Sequence, residues 1–157
     1  MRKAAAEVRA YKARIEKLAV DLTAELAAQG AQIALVEAGG IRDTGNLLSS
    51  ILGESGGNYG FVKCKCGYAV YVEFGTGVVG KNNPHPDIAI LGERSPSYNG
   101  KTYTSYDSQG HGELGWWYPG KDGKYHWTKG MESRPFMYNT AQQLRRLVIP
   151  TARGLIP

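Results

Sequence analysis

The sequence predicts an α+β fold: a long N-terminal helix and a C-terminal helix packed on a small antiparallel sheet, with a long glycine-rich loop and an aromatic hairpin. Three observations predict it. Apolar residues recur in steps of three or four from Val8 to Leu26, Tyr59 to Cys66 alternates with period two, and a second helical pattern follows Arg134-Pro135. The 157 residues read as one domain, long enough to bury about 68 to 70% of the surface its unfolded chain exposes.

The first helix is predicted from about Lys3 to Ala28, with Val8, Tyr11, Ile15, Leu18, Leu22 and Leu26 on its inward face. Gly30 interrupts the pattern, Ile33, Ala34 and Val36 prolong it, and Gly39-Gly40 ends it. Asp43 or Thr44 then caps a short second helix by accepting from its free first-turn amides, with Leu47, Leu48 and Ile51 turned inward. Gly53 to Gly57 reads as a loop, and Tyr59 to Cys66 as a strand. On that strand Cys64 and Cys66 share a side with Val62, while Lys63 and Lys65 face the other way.

Tyr68 to Phe74 fits either a continuing strand or a turn of helix that brings Val70 and Phe74 together. Gly75-Thr76-Gly77 then releases the chain into a long excursion. More than half of the 21 glycines lie between Gly75 and Gly130, so this stretch reads as turns and loops. Within it, Leu114 to Tyr118 and Lys124 to Thr128 form a β-hairpin about the turn-rich Pro119-Gly120-Lys121-Asp122-Gly123. Asn82 to Gly112 has few periodic apolar residues and reads as a long loop that is functional or partly disordered. The last helix opens at Arg134-Pro135, turns Met137, Ala141, Leu144 and Val148 to one face, and ends at Pro150 before an irregular tail.

The apolar fraction of 42% and charged fraction of 21% are those of an ordinary folded domain. A formal charge of +5 allows contact with DNA, an anionic surface or an acidic protein neighbour, but the excess is scattered. Arg2, Lys3, Arg9, Lys12, Arg14 and Lys17 share the first helix with Glu7, Glu16, Asp21 and Glu25, the pattern of a solvated, charge-laced face. The start, Met1 to Glu7, lacks the apolar region of an export signal, and no run of about 18 apolar residues suggests a membrane span.

Raw material for catalysis is sparse. Cysteines two apart on one strand are poorly placed to bridge, and two sulfurs do not complete a zinc site, so Cys64 and Cys66 read as small buried apolar residues. His85, His111 and His126, with Glu113, match no compact ligand spacing, and no cofactor is expected. No Gly-x-Ser-x-Gly elbow is present, and the Gly-x-Gly-x-x-Gly register at Gly75 to Gly80 lacks the βαβ context of a dinucleotide site. Glu73, set between Val72 and Phe74, needs a partner if buried; Arg134, Lys129 or neighbouring amides are the candidates, and Glu73 and Arg134 are expected to approach one another.

The aromatic hairpin is the foremost surface candidate. Alternation sends Trp116 and Tyr118 to one face and Trp117 to the other, so both faces call for a cover, from the same domain or a neighbouring subunit. The expected contact anchors are Trp116, Trp117, Tyr118, Tyr125 and Trp127. A single aromatic repeat of this kind is also similar to the sugar-stacking repeats of cell-wall-binding modules, which use several copies.

Three segments carry a wider resemblance: Asp43-Thr44-Gly45-Asn46-Leu47-Leu48-Ser49-Ser50-Ile51, Tyr68 to Gly77, and Ser133-Arg134-Pro135-Phe136-Met137-Tyr138-Asn139-Thr140-Ala141. In this order, with Gly77 to Gly80, Pro84-His85-Pro86 and His111 to Tyr118, they resemble the minor tail component, or tail-completion, family of long-tailed bacteriophages, the gene-product-ten-like proteins. The likeness runs from roughly Ala24 to Leu144. It inclines Tyr68 to Phe74 towards helix and makes 77–130 an elaboration within one domain, since the motifs lie on both sides of it.

What the resemblance implies is a non-enzymatic structural protein of the virion neck, assembled in the host cytoplasm. It implies a homo-oligomeric ring between the head-tail connector or stopper and the tail terminator or tail tube. DNA would pass the lumen without sequence-specific binding. Gly75, Thr76 and Gly77 are then the expected hinge of the arm, and Asp43, Thr44, Gly45, Glu73, Arg134 and Pro135 the structural motif residues. The alternative is a binding module whose aromatic hairpin takes cell-wall glycan or nucleic acid.

Overall fold

The structure is a computed structural model that describes residues 2–41, 45–87 and 115–156. The fold is α+β, with a long N-terminal helix, a C-terminal helix and a small two-stranded antiparallel sheet, as predicted. Cα packing divides the chain into two compact units, one formed by 1–66 with 137–157 and the other by 67–136.

In the first unit, α1 runs over Arg2–Ala38, through Gly30, and stops at Gly39-Gly40. Gly30 is a packing position. A Cβ there would stand 2.6 Å from Val62 and 2.8 Å from Leu144, so the missing side chain lets sheet and helix close on α1. The buried face of α1 is built of small residues, Ala27, Gly30, Ala34 and Ala38. Val8, Tyr11 and Ile15, expected inside, lie exposed because the covering elements reach only the later turns of this helix. A short α2, Asn46–Ser49, follows Gly45, which takes the left-handed conformation at φ 82°. Leu47 is buried; Asp43 and Thr44 lie outside the described residues.

The largest correction concerns 53–57. Instead of a loop, β1 (Ile51–Gly56) pairs antiparallel with β2 (Tyr59–Cys64), Ile51 opposite Cys64 and Gly56 opposite Tyr59, through a tight Gly57-Asn58 turn. Ile51 is buried as expected, but on this strand and not on the helix. Gly53 belongs in the strand because its Cα rests against the backbone of Ala27, leaving no room for a side chain. Strand β2 ends at Cys64, before Cys66.

The Cys64 thiol lies 3.8 Å from the Leu47 carbonyl, and burial pushes its pKa above the ordinary thiol range. Its thiolate is therefore disfavoured in the fold, and this contribution to stability is lost as pH rises through the folded-state pKa. At pH 8, alkylation of Cys64 is expected to run about tenfold slower in the native protein than in urea. Peptide mass spectrometry over time measures it.

Helix α5 spans Phe136–Leu155 and runs antiparallel to α1: Asn139 and Gln143 donate to Glu37 at 2.9 and 2.6 Å, and Thr151 meets Gln29 at 3.3 Å. Two expectations fail here. Pro150 lies inside the helix, and its cost is limited because Pro150 and Arg146, whose carbonyl loses its bond, are both exposed to water. The covered face passes through Phe136, Thr140, Leu144 and Leu147, while Ala141 and Val148 are exposed. Polar partners for Asn139 and Gln143 on Glu37 turned the helix away from the purely apolar face.

In the second unit, α3 (Ala69–Phe74) resolves the ambiguous stretch as helix. After Gly75 and Thr76 the chain makes α4 (Gly77–Asn82), where a loop was expected. Strands β3 (Trp116–Pro119) and β4 (Tyr125–Thr128) form the predicted hairpin, with Trp117 opposite Trp127 and Tyr118 opposite His126. No described helix is long and apolar enough to cross a membrane.

Candidate functional site

The second unit holds a clamp, a buried polar pair and an exposed aromatic face. Thr76 donates its amide to Met131 at 2.8 Å, and Met131 returns its own amide to the Thr76 carbonyl at 3.1 Å. Val79 donates to Lys129, and Arg134 donates to Val72 at 2.9 Å. The segment leaving the hairpin is thus zipped along α3, Gly75, Thr76 and α4. Gly75 sits at φ 76°, ψ 178°, a conformation open essentially to glycine alone. The Gly75-Thr76-Gly77 motif, read from sequence as the release into a long excursion and the hinge of the arm, lies in the middle of this clamp.

Glu73 and Arg134 stand in adjoining segments, and the Ser133 hydroxyl donates to the Glu73 carbonyl at 2.6 Å. The Glu73 carboxylate meets His85, with Nε2 3.2 Å from Oε1, and Arg134 meets Glu132 at 3.6 Å. Glu73 and His85 are 7% and 5% exposed, so this pair is interior. The geometry fixes the imidazole tautomer. Asp87 donates its amide to Nδ1 at 3.0 Å, which makes Nδ1 an acceptor and leaves Nε2–H to donate to Glu73. The Phe74 ring packs on the imidazole at 4.5 Å between centroids.

With both ring nitrogens engaged, His85 could ligate a metal only by giving up one of these bonds. Among the described residues no three His, Cys, Asp or Glu side chains converge, and His111 and Glu113 lie outside the described set. Sequence reasoning singled out Glu73 but not His85 as its partner. The available signal was Pro84-His85-Pro86, whose flanking prolines restrict the backbone that carries the ring.

On the hairpin, Trp117 and Trp127 meet edge to face, 5.4 Å between centroids and 65° between planes. Both rings are exposed, as is Tyr125, which shares their face by strand alternation. Of Trp116 and Tyr118 the structure describes the backbone only. The turn is tied by Asp122, which accepts from His126 at 2.9 Å and from the Lys124 amide at 3.1 Å, contacts that hold its carboxyl below the usual range. Pro135 directly precedes α5, one residue from the expected opening of that helix.

Compared with protein-family models, with curated proteins and with solved structures, the chain matches none of them.

Proposed function

We propose that the protein is a structural subunit of a bacteriophage neck, forming a homo-oligomeric ring that joins the head connector to the tail. The observation that carries the reading is the aromatic face of the hairpin: Trp117, Tyr125 and Trp127 lie exposed on one ribbon whose outgoing strand is clamped to α3 and α4. Large rings held out on a fixed base lose little conformational freedom on docking, which is why such residues anchor protein interfaces. The motif segments around Gly45, Glu73, Gly75 and Pro135 add the sequence resemblance to tail-completion proteins. The mechanism is binding: subunits dock on the layer above or below, and the ring leaves a lumen for DNA. The protein would then act in the virion after assembly in the host cytoplasm.

A sugar- or base-stacking module presents rings side by side as a flat platform. The 65° angle between Trp117 and Trp127 works against that arrangement and favours insertion of the rings into a protein pocket. Trp117→Ala is expected to leave a folded protein and to lower its incorporation into particles at least tenfold, as for a central aromatic anchor. Immunoblots of purified particles measure this. Normal incorporation of the folded variant removes the hairpin from the interface, and cell-wall retention lost on the same substitution favours the glycan module.

A further inference from the structure

The first four turns of α1 carry a seam that the first unit leaves largely exposed. Val8, Tyr11 and Ile15 are 68%, 67% and 46% exposed, and with Ala4, Leu18 and Leu22 they follow an unbroken alternation of three- and four-residue steps. That spacing admits one heptad frame, with Val8, Ile15 and Leu22 at a and Ala4, Tyr11 and Leu18 at d. Helix α5 reaches this face only at its end. There Leu155 and Ile156 join Tyr11, Arg14, Ile15, Lys17, Leu18 and Asp21 around an open groove of about 450 Å³. The turns before the groove project past it.

We infer that this seam takes the same seam of a second copy, as a short, parallel, in-register coiled coil. Two features of the sequence select this occupant. β-Branched residues at a, here Val8 and Ile15, with leucine at the d position Leu18, favour two parallel strands. The flanking charges match only in that orientation. Glu7, at g, faces Lys12 of the partner subunit at e, and symmetry repeats the attraction. An antiparallel pair with Val8 opposite the partner's Tyr11 places the two Lys12 ammonium groups against each other.

Isolated coils this short are marginal because a helix must first be nucleated. Here the helix continues from a folded unit, where α5 and the sheet already hold its later turns. Association on the order of 10 to 100 µM is expected for so small an apolar seam. The inference concerns the chain in solution and stands apart from the neck reading, which rests on the hairpin.

Sedimentation equilibrium of the full chain tests it. The wild-type protein and Trp117→Ala are expected to dimerise alike, Ile15→Ser to remain monomeric, and Lys12→Glu to weaken dimerisation about tenfold, since two attractive pairs become repulsive. Lys12→Glu also loses the exposed intrahelical pair with Glu16. Adding Glu7→Lys restores the contact between copies but not that pair, so recovery to within about threefold of wild type assigns the effect to the coil. With an added disulfide oxidant such as oxidised glutathione, which takes up the two electrons, Ala4→Cys should give a disulfide-linked dimer through the new thiols, mapped by peptide mass, because d positions meet their own copies only in a parallel coil. Circular dichroism confirms that each variant is folded. A monomer at several hundred micromolar (about ten times the expected constant) overturns the inference. So does a dimer indifferent to Ile15→Ser, no recovery in the charge swap, or no cross-link at position 4.

Discussion

Replacing Gly75 by alanine is expected to destabilise the second unit by about 3 kcal/mol, among the largest effects of any single methyl group in this protein. Two costs add. The backbone at φ 76°, ψ 178° excludes side chains, and a Cβ there would stand 2.6 Å from the Ser133 amide nitrogen and 2.7 Å from the Met131 carbonyl oxygen. Neither neighbour can yield cheaply, because both are backbone of the clamp that holds the hairpin's outgoing strand. All three tryptophans, Trp116, Trp117 and Trp127, belong to this unit, so urea unfolding followed by their fluorescence reports it selectively. The midpoint should fall with the slope unchanged. A shift worth less than about 1 kcal/mol would mean that Gly75 moves freely enough to serve as the hinge expected from sequence.

Replacing His85 by alanine is expected to cost about the same, about 3 kcal/mol, for different reasons. The Glu73 carboxylate, 7% exposed, loses the donor 3.2 Å away, and the Phe74 ring loses the imidazole packed against it. A buried acceptor that loses one donor gives up part of its compensation for lost solvation, so the hydrogen bond matters more here than its net worth at a surface. His85→Gln, which retains an N–H donor on a side chain of similar reach, should recover about half of the loss. If the alanine and glutamine variants melt together, Glu73 takes its stabilisation elsewhere and the imidazole acts by packing alone.

The two substitutions also separate the uses of the second unit. Each weakens the base on which Trp117 and Trp127 are carried without touching either ring. Under the proposed function, the destabilised variants should lose incorporation into particles in step with their loss of folded protein. Trp117→Ala should lose it while fully folded.

Much of the architecture was legible in the order of residues because the signals are local. Steps of three and four placed α1 and α5, Gly39-Gly40 stopped the first helix, and the Pro119 to Gly123 turn announced the hairpin that follows. Where local signals misled, a neighbour in space had overruled them. Gly53 looks like part of a loop until α1 is present, since a glycine in a strand gains its place when another backbone, here that of Ala27, presses on it. Pro150 looks like a stop until the helix around it is packed on one side and wet on the other. Val8, Tyr11 and Ile15 repeat as a core face would, yet periodicity records only that a face is apolar and not what lies against it.

The sequence by itself determined the α+β class, the two long helices, the aromatic hairpin and the residues worth watching, among them Glu73, Gly75 and Trp117. Only the tertiary structure decided that Glu73 meets His85, that Thr76 bridges Met131 across 55 residues, and that α5 turns Thr140 inward in place of Ala141. The reason is physical. Helix and turn formation depend on neighbours along the chain, whereas burying a carboxylate or seating a glycine against a carbonyl depends on groups that folding brings together from afar.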